Sequence, residues 1–280
     1  MPVEGTLWIK TPLACFTAND QTAAGGVVLS AGRIVELVAK NETPVLDVTE
    51  VFDASEHVLL PGLVNTHHHF YQTLTRALPA ALNKELFDWL KSLYPIWAGL
   101  TTEMLHTATQ VALAELLLSG CTTAADHHYL FPAGLEEGID AQVDAAGIIG
   151  SRVTLTRGSM SMGEEQGGLP PHSTIQDEAV ILRDSERVID RYHNGEQGSL
   201  VQLALAPCSP FSVSEGLMRD SAALARDKGV MLHTHLAETI DEEEFCQQMF
   251  GCRTVDYLER VDWLHDRTWL AHGIHFDDDE

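Results

Sequence analysis

The chain has 280 residues, 45% of them hydrophobic, and its 41 acidic against 17 basic side chains give a formal charge of −24. That is enough apolar material for a substantial core, while the acidic excess argues against nucleic-acid binding, which rests on Lys and Arg at phosphates. No apolar run reaches the length of a membrane span and no basic-then-apolar leader opens the chain, so the expectation is a cytoplasmic protein with no membrane partner.

From the amino terminus, residues 1–57 carry short β-prone pieces, Thr6–Ile9, Gly26–Leu29 and Arg33–Val38, separated by turn residues such as Ser30-Ala31-Gly32, and predict a small β domain. Residues 58–280 then alternate strand and helix signals. Strands are expected near 58–66, 121–127, 152–159, 200–206, 230–236 and 268–274, with amphipathic segments between them, and this alternation implies an α/β fold with a parallel sheet. The helix after Leu100 begins at Thr101-Thr102-Glu103, which has the look of a capping box, and stops at Ser119-Gly120. The glycine-rich stretch Met162–Pro171 fits either an active-site flap or a plain surface loop. Cys15, Cys121, Cys208, Cys246 and Cys252 include no Cys-x-x-Cys pair and read as reduced, buried thiols.

Three of the expected strands end in histidine. In Asn65-Thr66-His67-His68-His69-Phe70, strand alternation puts His67 and His69 on one face and His68 on the other, a spacing that builds half of a metal site and equally fits a polar turn. The others are Leu232-His233-Thr234-His235-Leu236-Ala237-Glu238 and Leu270-Ala271-His272. Polar groups contributed singly by the carboxyl ends of several parallel strands are the layout of a (β/α)8 barrel enzyme. Six strands are visible where a closed barrel has eight, so the barrel is expected to be incomplete at the carboxyl end of this chain. His233 shares a face with His235, and spacing alone allows either as a ligand.

Other polar runs carry weaker expectations. Asp126-His127-His128 ends the second strand, with one histidine facing the mouth as a substrate contact or as a supporting hydrogen-bond partner. Arg157 and Ser159 can orient a ring or cap a loop, and the five tryptophans are expected as core or interface anchors. The acidic runs Asp241–Glu244 and Asp277–Glu280 are expected to be a solvated helix start and a surface turn.

Pro61-Gly62-Leu63-Val64-Asn65-Thr66-His67-His68-His69, Asp88-Trp89-Leu90 with Pro95, Ala206-Pro207-Cys208-Ser209-Pro210, His235-Leu236-Ala237-Glu238-Thr239 and Ala271-His272 together resemble the amidohydrolase superfamily. More narrowly they resemble its ATZ/TRZ branch of purine, pyrimidine and triazine deaminases and chlorohydrolases, and His67–Arg76 is most similar to the members that deaminate 8-oxoguanine. The resemblance spans nearly the whole chain. It implies a TIM-type barrel with a small β-sandwich domain to which residues 1–57 contribute, and a barrel domain over residues 58–280.

The resemblance also implies roles. His67, His69 and His235 would be metal ligands, Glu238 the proton-transfer carboxylate, His272 a catalytic histidine on the substrate carbonyl or leaving-group side, and Gln72 a substrate contact. The superfamily's aspartate from an eighth strand has no counterpart in this chain, and the segment alone is expected to be inactive. Binuclear members bridge two ions with a lysine on the fourth strand; the lysines here are Lys10, Lys40, Lys84, Lys91 and Lys228, none of them in Leu200–Pro207, so one divalent ion is expected, zinc before iron or manganese. The implied activity is hydrolytic deamination of a purine-type heterocycle, 8-oxoguanine to urate and ammonia, by a homo-oligomer. The alternatives are a triazine or pyrimidine hydrolase, or a metal-binding relative without catalysis.

Overall fold

Short runs of β-branched and aromatic residues at the start of the chain form strands β1 (Thr6–Lys10), β2 (Ala14–Cys15), β3 (Gly26–Ser30), β4 (Arg33–Val38), β5 (Glu50–Asp53) and β6 (Val58–Leu59). This computed structural model describes residues 5–16 and 23–280. The backbone divides into two compact units, Met1–Leu63 with Glu196–Gly198, and Val64–Gly195 with Ser199–Glu280.

In the first unit the strand order is β4-β3-β1-β5, antiparallel except for the parallel β1–β5 pair, and β2 and β6 form a separate parallel ladder. Trp8, Val28 and Val38 make its core. Ala31 and Gly32, at φ 48° and 75°, close the β3–β4 hairpin with the two left-handed residues that match strand twist. Gly26 is obligatory, since a Cβ there would stand 1.8 Å from the Ile9 carbonyl oxygen.

The second unit contains β7 (Leu63–Asn65), α1 (Leu86–Trp97), α2 (Thr102–Leu118), β8 (Cys121–Asp126), α3 (Gly138–Ile149), β9 (Arg152–Ser159), α4 (Glu178–Tyr192), β10 (Val201–Pro207), α5 (Glu215–Lys228), β11 (Met231–Leu236), α6 (Ile240–Phe250), α7 (Thr254–Arg260) and β12 (Thr268–His272). Its sheet runs β7 to β12 in sequence order, and every pairing from β8 to β12 is parallel. The single strand expected over 58–66 is two strands. Pro61 has no N–H for a ladder and Pro61-Gly62 breaks the run, so β6 pairs with β2 while β7 begins the larger sheet.

Helix boundaries follow local chemistry. Thr101 caps α2 by accepting the Met104 N–H at 3.2 Å, and Gly120 at φ 86° lets the chain leave it. Asp177 caps α4 at 3.1 Å, and Ile181, Ser185, Val188 and Ile189 place its buried face on the sheet side, at helical spacing. Leu155, Leu203, Leu205 and Leu232 from the strands pack with Ile139, Val188, Leu217 and Leu258 from the helices in one cluster.

The sheet is rolled. Six strands laid flat would hold the first and last about 24 Å apart at ~4.8 Å per interval. Yet the rings of His67, after β7, and His272, at the end of β12, are 5.7 Å apart, and the Trp269 indole N–H donates to the Thr66 carbonyl at 3.1 Å. Rolling brings the carboxyl ends of distant strands to one place.

Candidate metal centre and proton-transfer site

Strand alternation turns His233 and His235 to one face of β11, while Thr234 turns away and donates its hydroxyl to the Pro207 carbonyl at 2.8 Å. A neutral imidazole has one N–H, so its hydrogen bonds fix which nitrogen keeps a lone pair. His69 Nδ1–H donates to the His127 carbonyl at 2.6 Å, and His235 Nδ1–H donates to the Cys208 carbonyl at 2.7 Å. The Nε2 atoms of His69 and His235 are therefore both unprotonated, and they face each other at 3.2 Å. Two lone pairs at that separation repel unless a cation lies between them.

His67 completes the set. His233 Nδ1–H donates to the Trp269 carbonyl at 2.8 Å, which leaves His233 Nε2 to accept from His67 Nδ1–H at 2.8 Å. His67 Nε2 is then free. Each of the three rings thus has its Nδ1–H held by a carbonyl or a second imidazole, the supporting pattern that orients metal-ligating histidines. Burial depresses the pKa of these rings: His67 falls to about 4, His233 to about 3, and His69 and His235 well below the usual value, so all are neutral and able to ligate near pH 7.

Two trios of ligand atoms among the described residues lie within 4.8 Å of one another, His67-His69-His235 and His67-His127-His233. Bond lengths separate them. Two nitrogens at ~2.0–2.1 Å from a tetrahedral zinc stand about 3.4 Å apart. The 3.2 Å between His69 and His235 fits that edge, whereas the 2.8 Å between His67 and His233 is a hydrogen bond. His233 accordingly belongs behind His67, where Trp269 stacks on it with ring centroids 4.3 Å apart and planes 8° from parallel.

Glu238 and His272 stand beside this trio, with Oε2 of the first 3.4 Å from Nε2 of the second. Burial raises the pKa of Glu238 and lowers that of His272. Glu238 comes from the turn after β11 and His272 is the last residue of β12, and the backbone there is left-handed, at φ 50° for Ala237 and 78° for His272. A cavity of about 270 Å³ is lined by His67, His69, His235, Glu238 and His272 together with Gln72, Trp89, Tyr129 and Phe211. A neighbouring cavity of about 600 Å³ shares His67, His69, Gln72 and Trp89 but not His235, Glu238 or His272, so only the smaller one is lined by the histidine trio, Glu238 and His272 together.

All six residues singled out from sequence therefore meet at one place. Of the Asp126-His127-His128 run, His127 joins the histidine cluster as a supporting ring: it stacks on His235 at 4.3 Å, its Nε2–H donates to Ala206, and its carbonyl holds His69. Asp126 accepts the Phe70 N–H at 2.7 Å and fixes the chain just after His69.

Two open alternatives narrow and one expectation needs correction. Arg157 does not reach this cavity; it pairs with Asp184 at 2.6 Å and Gln176 at 2.9 Å on the helix side of the sheet. The Met162–Pro171 stretch lines neither of these cavities; Met162 and Leu169 are tied to the Ser212 and Phe211 carbonyls. The run Asp241–Glu244 does start a helix, but Glu242 and Glu243 are buried rather than solvated. Trp89 on α1 and Trp269 were missed as site residues, because nothing local to either side chain marks which strand ends it will face.

Residues 58–280 match the amidohydrolase family. The chain belongs to that family. This amidohydrolase is 63% identical over 273 residues to 8-oxoguanine deaminase of Pseudomonas aeruginosa, an alignment covering 98% of the chain and 61% of that relative. It is 36% identical over 231 residues to hydroxydechloroatrazine ethylaminohydrolase of Pseudomonas sp. strain ADP, covering 81% of the chain and 47% of the relative. Among solved structures, atrazine chlorohydrolase TrzN from Arthrobacter aurescens TC1, complexed with zinc, superposes with a TM-score of 0.85 at 29% identity, over 95% of the chain and 60% of TrzN. The chain thus spans about three fifths of the length of the first of these relatives. No helix among the described residues is long and apolar enough to cross a membrane.

Proposed function

We propose that this chain carries the metal-binding and proton-transfer groups of an aminohydrolase that converts 8-oxoguanine and water to urate and ammonia. The observation that supports it most is the convergence of three unprotonated Nε2 atoms, from His67, His69 and His235, beside a half-buried carboxyl and a fourth imidazole in a cavity of about 270 Å³. The 63% identity to a deaminase of that substrate gives the reading its base.

In this reading His67, His69 and His235 would hold a single divalent ion, zinc, which would lower the pKa of a water nucleophile toward neutrality. The absence of lysine from β10 favours one ion over two. Glu238 delivers a proton to the ring nitrogen next to the attacked carbon, and its raised pKa keeps an acid form available closer to neutrality. His272, within 3.4 Å of Glu238, hydrogen-bonds a substrate oxygen and holds the ring so that the carboxyl meets that nitrogen. Gln72 contacts the heterocycle from the rim shared by both cavities.

The frame would be a (β/α)8 barrel to which residues 58–280 contribute six strands, with residues 1–57 in a small β-sandwich. The protein would act in the cytoplasm as a homo-oligomer, without nucleic acid or membrane. A second reading, hydrolysis of a triazine with release of chloride or an alkylamine, draws on the TrzN superposition and the ethylaminohydrolase relative. The deciding experiment incubates the metal-loaded intact protein with 8-oxoguanine, guanine, isocytosine, cytosine and hydroxytriazines and measures ammonia, chloride and ethylamine. Ammonia with urate from 8-oxoguanine is the expected result. Chloride or ethylamine release without purine turnover would sink the first reading in favour of the second, and zinc retained with no hydrolysis would leave a non-catalytic metal protein.

A further inference from the structure

Glu242 lies in the first turn of α6, four residues after Glu238, with its side chain wholly buried. In a capping box, the glutamate at the third helical position accepts the N–H of the cap residue three positions earlier. Here the cap is Thr239, whose hydroxyl makes no capping bond, and Glu242 reaches one residue further back. Its Oε2 accepts the backbone N–H of Glu238 at 2.9 Å. Glu243 does not share this task, because it is engaged by the Thr254 hydroxyl and by Arg253.

Between β11 and that bond stands Ala237 at φ 50°, a left-handed conformation that alanine adopts only when its surroundings hold it. The Ala237 carbonyl is held by the N–H groups of Ile274 at 2.9 Å and His275 at 3.1 Å. The turn is therefore clamped on its carbonyl side by the segment leaving β12 and on its N–H side by Glu242. A carboxyl kept out of water is costly where an apolar side chain of similar size would fill the space, so its presence points to a bond that an apolar group cannot make. That bond fixes the backbone from which the Glu238 carboxyl reaches His272, in the cavity that the histidine trio also lines.

We propose that Glu242 is a positioning residue for Glu238, holding the Ala237–Glu238 turn so that the Glu238 carboxyl stands over the metal-binding histidines. The proposal rests on the reading of Glu238 as the proton-transfer group. Its test compares Glu242→Gln, Glu242→Asp and Glu242→Leu in the intact, metal-loaded protein by steady-state kinetics, metal analysis and amide hydrogen exchange at Glu238. Gln keeps an acceptor oxygen at the same reach, and turnover and exchange should stay near wild type. Leu removes the acceptor, and kcat should fall by about 10²-fold, the effect of an ångström-scale misplacement, with KM and bound metal little changed and exchange at Glu238 accelerated. Asp keeps the charge but shortens the reach and should resemble Leu, which provides the result if the Leu variant does not fold. Wild-type kcat and exchange in the Leu or Asp variant would overturn the proposal, as would a Gln variant impaired as far as Leu. Hydrogen exchange reports on the clamp even if the substrate assignment fails, so the two readings fall separately.

Discussion

Replacing His69 or His235 by alanine removes one of two unprotonated Nε2 atoms that stand 3.2 Å apart. Either change should abolish stoichiometric metal binding, measured by elemental analysis of the purified protein. His233→Ala should instead leave a site that fills at higher metal concentration, weakened by about 10- to 100-fold, since supporting partners of ligand histidines have effects of that order. Equal loss in all three variants would place His233 among the ligands. Glu238→Gln should retain the metal and lower kcat by about 10²–10⁴-fold, the range of general acid–base groups; unchanged kcat would remove Glu238 from proton transfer. His67, His69, His233 and His235 were legible because i, i+2 spacing at strand ends is a local pattern, whereas Glu238 and His272 took their roles from the family resemblance. The run Asp126-His127-His128 already offered a supporting histidine, but Trp269 and Glu242 were not legible, because their partners come from another strand or from a turn whose left-handed backbone is invisible in the residue string.

Elements hold these side chains in place by ordinary means. Asp177 caps α4 through the Val180 N–H, and Asp177→Ala should cost about 1 kcal/mol of unfolding free energy by denaturant titration, as cap removals do. The helix does not touch the histidine trio directly, so metal content should not change; metal loss in that variant would mean that α4 supports the site more directly than its packing shows. Strand positions were readable to within a residue or two from β-prone runs, and the helix stop at Gly120 from its glycine. The break between β6 and β7 was underestimated because the apolar run is continuous across Pro61-Gly62, and only pairing shows that its halves join different sheets.

For the whole molecule, burial of neutral histidines makes stability depend on pH. The unfolded chain takes up protons near pH 6.5, whereas folded His67 does so only near 4, His233 only near 3, and His69, His127 and His235 well below the usual value. The stability they contribute is full above about pH 6.5 and falls as the solution is acidified from there towards pH 4. Asp126 and Glu242, both raised to about 7 by burial, act oppositely, since their contribution is present below the unfolded value and is lost as pH rises through 7. The histidines outnumber them. The metal-free protein should therefore show a falling thermal midpoint between pH 6.5 and 4, and a midpoint that rises or stays level there would contradict the burial of neutral rings. Excess zinc at pH 7 should raise the midpoint, because a ligand bound only by the folded state stabilises it.

The residue string alone fixed the α/β alternation, the position of each strand in the larger sheet to within a few residues, and the histidines that end three of those strands. These are local properties, set by periodicity two in strands and by capping and turn residues at helix ends. Which nitrogen of each ring is free and which of two histidine trios has a metal's spacing emerged only once the sheet had rolled, and the Glu242 bond to the Ala237–Glu238 turn only from the backbone conformation of that turn. Rolling brings together groups 166 and 203 residues apart, and hydrogen bonds among them depend on distances and angles that no neighbour in sequence controls.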